Sequence, residues 1–166
     1  KFTDTCTTCN NEENRSKRVE IKELINQAPV IAHQMDLLMS VDGVGERVAL
    51  KMIMETDAFT SFTDPRKFCC HAGVVPFVYV SGSSQRSKNR VSNRADKSIK
   101  HLLHMAALSV SQVKNSPLKK YYDRKVEEGK NKMSVLNAVR AKLVTIMFAV
   151  IRTDAFFSRN YQNSLA

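Results

Sequence analysis

Leu37-Leu38-Met39-Ser40-Val41-Asp42-Gly43-Val44-Gly45-Glu46-Arg47-Val48-Ala49 is the stretch on which the architecture turns. Two glycines one residue apart let the backbone turn tightly, because glycine takes positive φ without steric cost. Apolar residues at helical spacing run into this turn and out of it, and Val41 and Val44 are placed to plug between the two helices. The stretch therefore reads as a helix-hairpin-helix. In that geometry the amides near Gly43, Gly45 and the start of the next helix face a phosphate, and Arg47 adds a charge-assisted contact. Such contacts hold a nucleic-acid backbone and carry no base sequence. The competing reading is a plain helix–helix turn that binds nothing, and the Asp42 carboxylate, which repels phosphate, favours it.

Working back toward the start, residues 15–39 show helical spacing (Val19, Ile21, Leu24, Ile25, then Ile31, Met35, Leu38), interrupted by Pro29. Proline lacks an amide hydrogen, so two helices or one kinked helix are expected. Working forward, 46–55 predicts a helix with Val48, Ala49, Met52 and Ile53 inward, and 66–72 a short one, after a polar connection holding Phe59 and Phe62. The β-branched run 73–82 contains Pro76, which confines it to an edge or irregular segment. A basic loop follows, with Ser92 or Asn93 as the expected cap of a helix reaching about Val113. Pro117 precedes another helix, Gly129 allows a turn, and 133–152 is a final helix faced by Leu136, Val139, Leu143, Ile146, Met147 and Val150. The fold class is mainly α: a compact helical domain with a helix-hairpin-helix, an N-terminal helical arm and little sheet.

Charge is distributed unevenly along the 166 residues. Residues 1–85 carry nine Lys/Arg against eleven Asp/Glu, whereas 86–152 carry sixteen against four, a net of +12. That asymmetry points to a polyanionic partner. Only twelve aromatics and no tryptophan disfavour an extended base-stacking platform. No apolar run approaches the roughly 20 residues that cross a bilayer, so no membrane partner and an intracellular, cytoplasmic location are expected. Cys6 and Cys9 have metal-ligand spacing, but the other two cysteines, Cys69 and Cys70, are adjacent and poor partners for tetrahedral zinc. They are expected in or near the core, and no metal site is assigned.

Ser81-Gly82-Ser83-Ser84 is followed within a short span by Arg86, Lys88, Arg90, Arg94, Lys97 and Lys100. On these residues alone two readings stand: a phosphate-binding loop, or a nucleophilic serine whose alkoxide and trigonal-bipyramidal phosphorus are stabilised by the cations. His101 and His104 lie one helical turn apart and suit a partly buried structural pair better than metal or base work. Lys119, Lys120, Arg124, Lys125, Lys130 and Lys132 form a second basic cluster around Tyr121 and Tyr122, of which one is expected in the core and the other at a sugar or phosphate.

The order of several motifs resembles one family. Ser40-Val-Asp-Gly-Val-Gly45, Phe62 with Arg66-Lys-Phe68, His71-Ala-Gly-Val-Val-Pro76 and Ser81-Gly82 are similar to the C-terminal domain of transposases of the IS110/IS116/IS902 family. So are Asn93-Arg-Ala-Asp-Lys-Ser-Ile-Lys-His-Leu-Leu103, Tyr122 to Met133, and Asn137-Ala-Val-Arg140 before Lys142-Leu143. His71 departs from the aromatic residue common there, which touches packing more than chemistry. The resemblance implies a DNA recombinase in which Ser81, ahead of Ser83 and Ser84, attacks DNA to form a phosphoserine link. It also implies a nucleoid-associated location, a structured bridge RNA, assembly as a homo-oligomer, and a separate RuvC-like domain whose carboxylates hold a divalent metal, Mg²⁺. The expected organisation is then a tail and helical arm linking to that domain over 1–36, the transposase domain over 37–153, and a tail over 154–166. By itself the chain is expected to bind nucleic acid without recombining it and to hold no cofactor. The nucleic-acid contacts expected are Gly43, Gly45, Arg47, Arg86, Lys88, Arg90, Arg94, Lys97, Lys100, Lys130 and Lys132. The alternative is a non-catalytic DNA- or RNA-binding module that positions a partner nuclease.

Overall fold

Pro29 cannot donate to a preceding turn, but its fixed φ suits the first position of a helix. The computed structural model shows that outcome. Helical backbone ends at Gln27, Ala28 is non-helical, and a new helix, α1, begins at the proline and spans Pro29–Met39. The structure describes residues 20–75 except 22 and 26, the backbone of 80–81 and 85–86, and residues 95–159. The chain divides into two units, 1–34 and 35–166. The second is a mainly helical domain.

After the glycine turn, α2 spans Glu46–Thr56 and buries Val48, Ala49, Met52 and Ile53, the residues its spacing selects. It ends in three consecutive left-handed residues, Asp57, Ala58 and Phe59, with φ of 50°, 52° and 64°. Non-glycine residues disfavour that region by about 1–2 kcal/mol each, so something must hold the turn. The buried Thr56 does: its hydroxyl donates to the Met52 carbonyl (2.7 Å) and accepts from the Phe59 amide (3.1 Å). The turn carries Phe59 and Phe62 into an aromatic cluster. Phe59 meets Phe148 edge-on at 5.0 Å, and Phe62 meets Phe68 at 5.5 Å. The connection that reads as polar in sequence thus sets two half-buried rings against the edge of the core, while Asp57, Thr60, Ser61 and Thr63 stay exposed.

Helix α3, Pro65–His71, is capped by Asp64, which accepts from the Arg66 amide. Strands β1 (Val80–Ser81) and β2 (Gln85–Arg86) pair antiparallel, Val80 opposite Arg86 and Ser81 opposite Gln85. Helix α4, Lys97–Gln112, is capped by Asp96, whose carboxylate accepts from the Ser98 amide at 2.7 Å. The expected caps, Ser92 and Asn93, lie outside the described residues. Because the helix starts at Lys97, the first-turn amide at Ser98 is within reach of Asp96. Helix α5 covers Pro117–Glu127, and α6 covers Lys132–Thr153 with Asn131 as its cap.

Helix α6 is the centre of the domain. It packs on α3, α4 and α5, while α2 packs on α4. Its buried face includes Val139, Leu143, Val144 and Met147, opposed by Ile99, Leu103 and Val110 of α4 and Phe68 of α3. At 22 residues α6 is long and apolar enough, by length and composition, to cross a membrane. Arg140 and Lys142 interrupt its apolar run. Half of its most apolar window is buried against the other helices, as in a core helix.

Candidate nucleic-acid interface

The glycine turn is the first candidate, and its geometry is specific. Gly43 has φ +81°, and a Cβ there would sit 2.7 Å from Val110 Cβ and 2.9 Å from the Ala106 carbonyl oxygen. Gly43 therefore lets the turn press onto the backbone of α4. Gly45 has extended backbone (φ −101°) and no atom within 4 Å of an added Cβ, so neither strain nor crowding requires glycine there. Val41 and Val44 are buried, and Gly45 and Arg47 are exposed. Asp42 is held by Arg159, whose Nη2 donates to Oδ1 at 2.6 Å and Nε to Oδ2 at 3.0 Å. The Phe157 amide donates to Ser40 Oγ at 2.9 Å. The segment after α6, expected to be a tail, thus docks on the turn as far as Arg159 and offsets the Asp42 charge.

The second candidate is the basic segment. Lys97, Lys100, His101 and His104 stand at i, i+3, i+4 and i+7 on α4 and so share one stripe. With Met133 and Arg140 of α6 they line an open cleft. Arg140 is buried, 6% exposed, and its Nη2 donates to Asn137 Oδ1. Neither Arg140 Nε nor His104 Nδ1 has a hydrogen-bond partner. Burial lowers the pKa of the Arg140 guanidinium from its ordinary value. Burial also lowers that of His104, with the Arg140 charge and then His101 acting in the same direction. Lys132 begins α6 beside Met133 at the cleft, and Lys130 lies exposed two residues earlier.

The backbone of Ser81 and Arg86 lies in the two-stranded hairpin; Ser83, Ser84, Lys88, Arg90 and Arg94 lie outside the described residues. Tyr121 and Tyr122 are both half-buried, which corrects the expectation of one core tyrosine. Lys142 and Arg124 crowd the Tyr121 ring at 4.7 and 5.7 Å from its centre, so cation–π contact keeps it near the surface. Cys69 is buried, and burial, with Cys70 behind it, pushes its thiol up to about 12. Among the described residues, no three His, Cys, Asp or Glu side chains converge as a metal site.

Residues 35–123, which contain the glycine turn, the Ser81 hairpin and α4, match the family model described as transposase IS116/IS110/IS902. The chain belongs to this transposase family. It is 28% identical over 140 residues to the pilin gene-inverting protein of Moraxella bovis, covering 84% of this chain and 44% of that protein. It is 26% identical over 148 residues to an insertion element IS110 protein of Streptomyces coelicolor, covering 88% of this chain and 35% of that protein. The transposase-family chain therefore spans less than half the length of these curated relatives. Within it, the residue that sequence reasoning left without a role is Arg140. Its signal was present: Leu136, Arg140, Leu143 and Met147 fall at helical spacing on the apolar face, so an arginine stands where a core residue belongs.

Proposed function

We propose that this chain is the DNA-binding, serine-bearing domain of a recombinase that cuts and rejoins DNA. One observation carries the reading: the transposase family match spans the Ser81 hairpin and the basic helix α4 together. Of the relatives, one is named for inverting pilin genes and another for an insertion element, and the substrate carried to this chain is accordingly DNA. Ser81 Oγ forms a bond to a backbone phosphorus as one ester bond to the neighbouring nucleotide breaks. The leaving sugar oxygen takes up the proton that the serine gives up. Arg86, Lys88 and Arg90 offset the charge that gathers on the phosphoryl oxygens. Carboxylates for a divalent ion such as Mg²⁺ belong, under this reading, to another domain. A structured RNA and a second copy of the protein are further partners under the same reading.

The test uses the full-length protein that contains this chain, with DNA bearing its recombination site. The wild type is expected to leave a denaturation-resistant protein–DNA adduct, and Ser81→Ala to lose the adduct while keeping DNA affinity. An adduct that survives Ser81→Ala overturns the serine assignment. DNA binding with no adduct in either protein favours the non-catalytic module that positions a nuclease.

A further inference from the structure

Arg140 is a buried cation with no buried anion beside it among the described residues. It lies on the core-facing side of α6, its recorded hydrogen bond goes to the neutral Asn137, and among the described residues no carboxylate pairs with it. A guanidinium taken out of water without a counter-charge is costly, and a buried donor with no acceptor adds to that cost. His104 cannot supply the anion. It is neutral or cationic, and its own Nδ1 is buried without a partner. Around these two groups, the remaining ionisable side chains of the cleft are Lys97, Lys100 and His101. Every charge they carry is positive. The open cleft has a volume of about 320 Å³, about ten waters' worth of liquid, which is room for one phosphate group and part of its sugar. A structural explanation, in which the Arg140 guanidinium donates to a neutral His104, is not what the structure shows: neither Arg140 Nε nor His104 Nδ1 has a hydrogen-bond partner.

We propose that this cleft between α4 and α6 seats one backbone phosphate of bound nucleic acid, with Arg140 and His104 as its floor and Lys97, Lys100 and His101 as its rim. The inference rests on the reading of the chain as a DNA-binding domain and adds a defined anion seat to it. A phosphoryl oxygen is the acceptor that Arg140 lacks. It accepts a charge-assisted bond from the guanidinium and, once His104 is protonated, a second from the imidazole. An arginine held in one buried geometry differs from the rim lysines, which act as mobile point charges.

The experiment is fluorescence anisotropy of the 166-residue chain on a labelled duplex across a salt series, comparing wild type with Arg140→Met and Arg140→Lys. Arg140→Met is expected to weaken binding about ten- to hundredfold and to lower the slope of log affinity against log salt by about one. Arg140→Lys is expected to keep the slope while losing part of the affinity. Single methylphosphonate substitutions along the duplex are then scanned. One position should weaken the wild type and leave Arg140→Met unaffected. Removing terminal 5′-phosphates separates the two sources of a phosphoryl group. It should change nothing, and a loss of binding there overturns the assignment to an internal phosphate. Circular dichroism checks folding, and if Arg140→Met does not fold, His104→Gln carries the methylphosphonate cycle with the same expectation. If the wild type binds DNA and no variant alters either slope or methylphosphonate sensitivity, the phosphate seat is wrong and the DNA-binding reading stands. If the wild type does not bind DNA, both fall.

Discussion

Replacing Gly43 by alanine tests whether the glycine turn exists for packing. Two costs add. At φ +81° an alanine sits in the left-handed region, at about 1–2 kcal/mol. Its Cβ would also lie 2.7 Å from Val110 Cβ, 2.9 Å from the Ala106 oxygen and 3.0 Å from the Val110 nitrogen. Two of those three atoms are helix backbone and cannot rotate away, so the overpacking cost is about 1–3 kcal/mol. The sum, about 2–5 kcal/mol, is a large share of the roughly 5–15 kcal/mol that stabilises a domain. At roughly 3–4 °C per kcal/mol for a domain of this size, the melting temperature should fall by about 6–20 °C. Gly45 is the internal control, because a Cβ there meets nothing within 4 Å; Gly45→Ala should shift stability by less than about 1 kcal/mol in either direction. The assay is thermal unfolding followed by far-ultraviolet circular dichroism. A Gly43→Ala protein that melts within about 2 °C of wild type, or a Gly45→Ala protein that loses as much as Gly43→Ala, would refute the packing argument.

Two further outcomes follow from the caps and turns. Thr56→Val keeps the shape of a buried side chain but leaves the Phe59 amide without its acceptor; urea unfolding should show a loss of about 1–3 kcal/mol, and Thr56→Ser should recover most of it. Asp96 is the second case: the Ser98 amide first, and Lys51 after it, hold its carboxyl below the ordinary value. A carboxyl with a lowered folded value contributes stability that is fully present above its unfolded value, about 3.9, and that is lost as pH falls below it. Asp96→Asn still caps α4 but does not titrate, so its melting temperature should fall less between pH 5 and pH 3 (approximate bounds from the same unfolded value) than that of wild type.

The helices were legible because each is an amphipathic stripe with local punctuation. Val48, Ala49, Met52 and Ile53 of α2 are inward as their spacing requires, and Pro29, Pro65 and Pro117 each stand at a helix start. Three features were not legible, each because it depends on a contact made only in the folded chain. Phe59 and Phe62 sit in a polar connection, and only the fold sets them, half-buried, against Phe148 and Phe68. Asp42 reads as a charge that repels phosphate until Arg159 is seen against it. Lys97 and Lys100 were expected contacts, yet the buried Arg140 beside them comes from another helix.

The sequence by itself determined the helical class, the concentration of positive charge after residue 85 and the family, because periodicity, composition and motif order are properties of neighbours along the chain. Only the tertiary structure decided why position 43 takes a glycine and which buried donor is left unpaired. Gly43 marks a close approach to α4, and the unpaired donor of Arg140 lies in a cleft that exists only once α4 and α6 have packed. Both depend on distances between residues that the chain keeps apart and the core brings together.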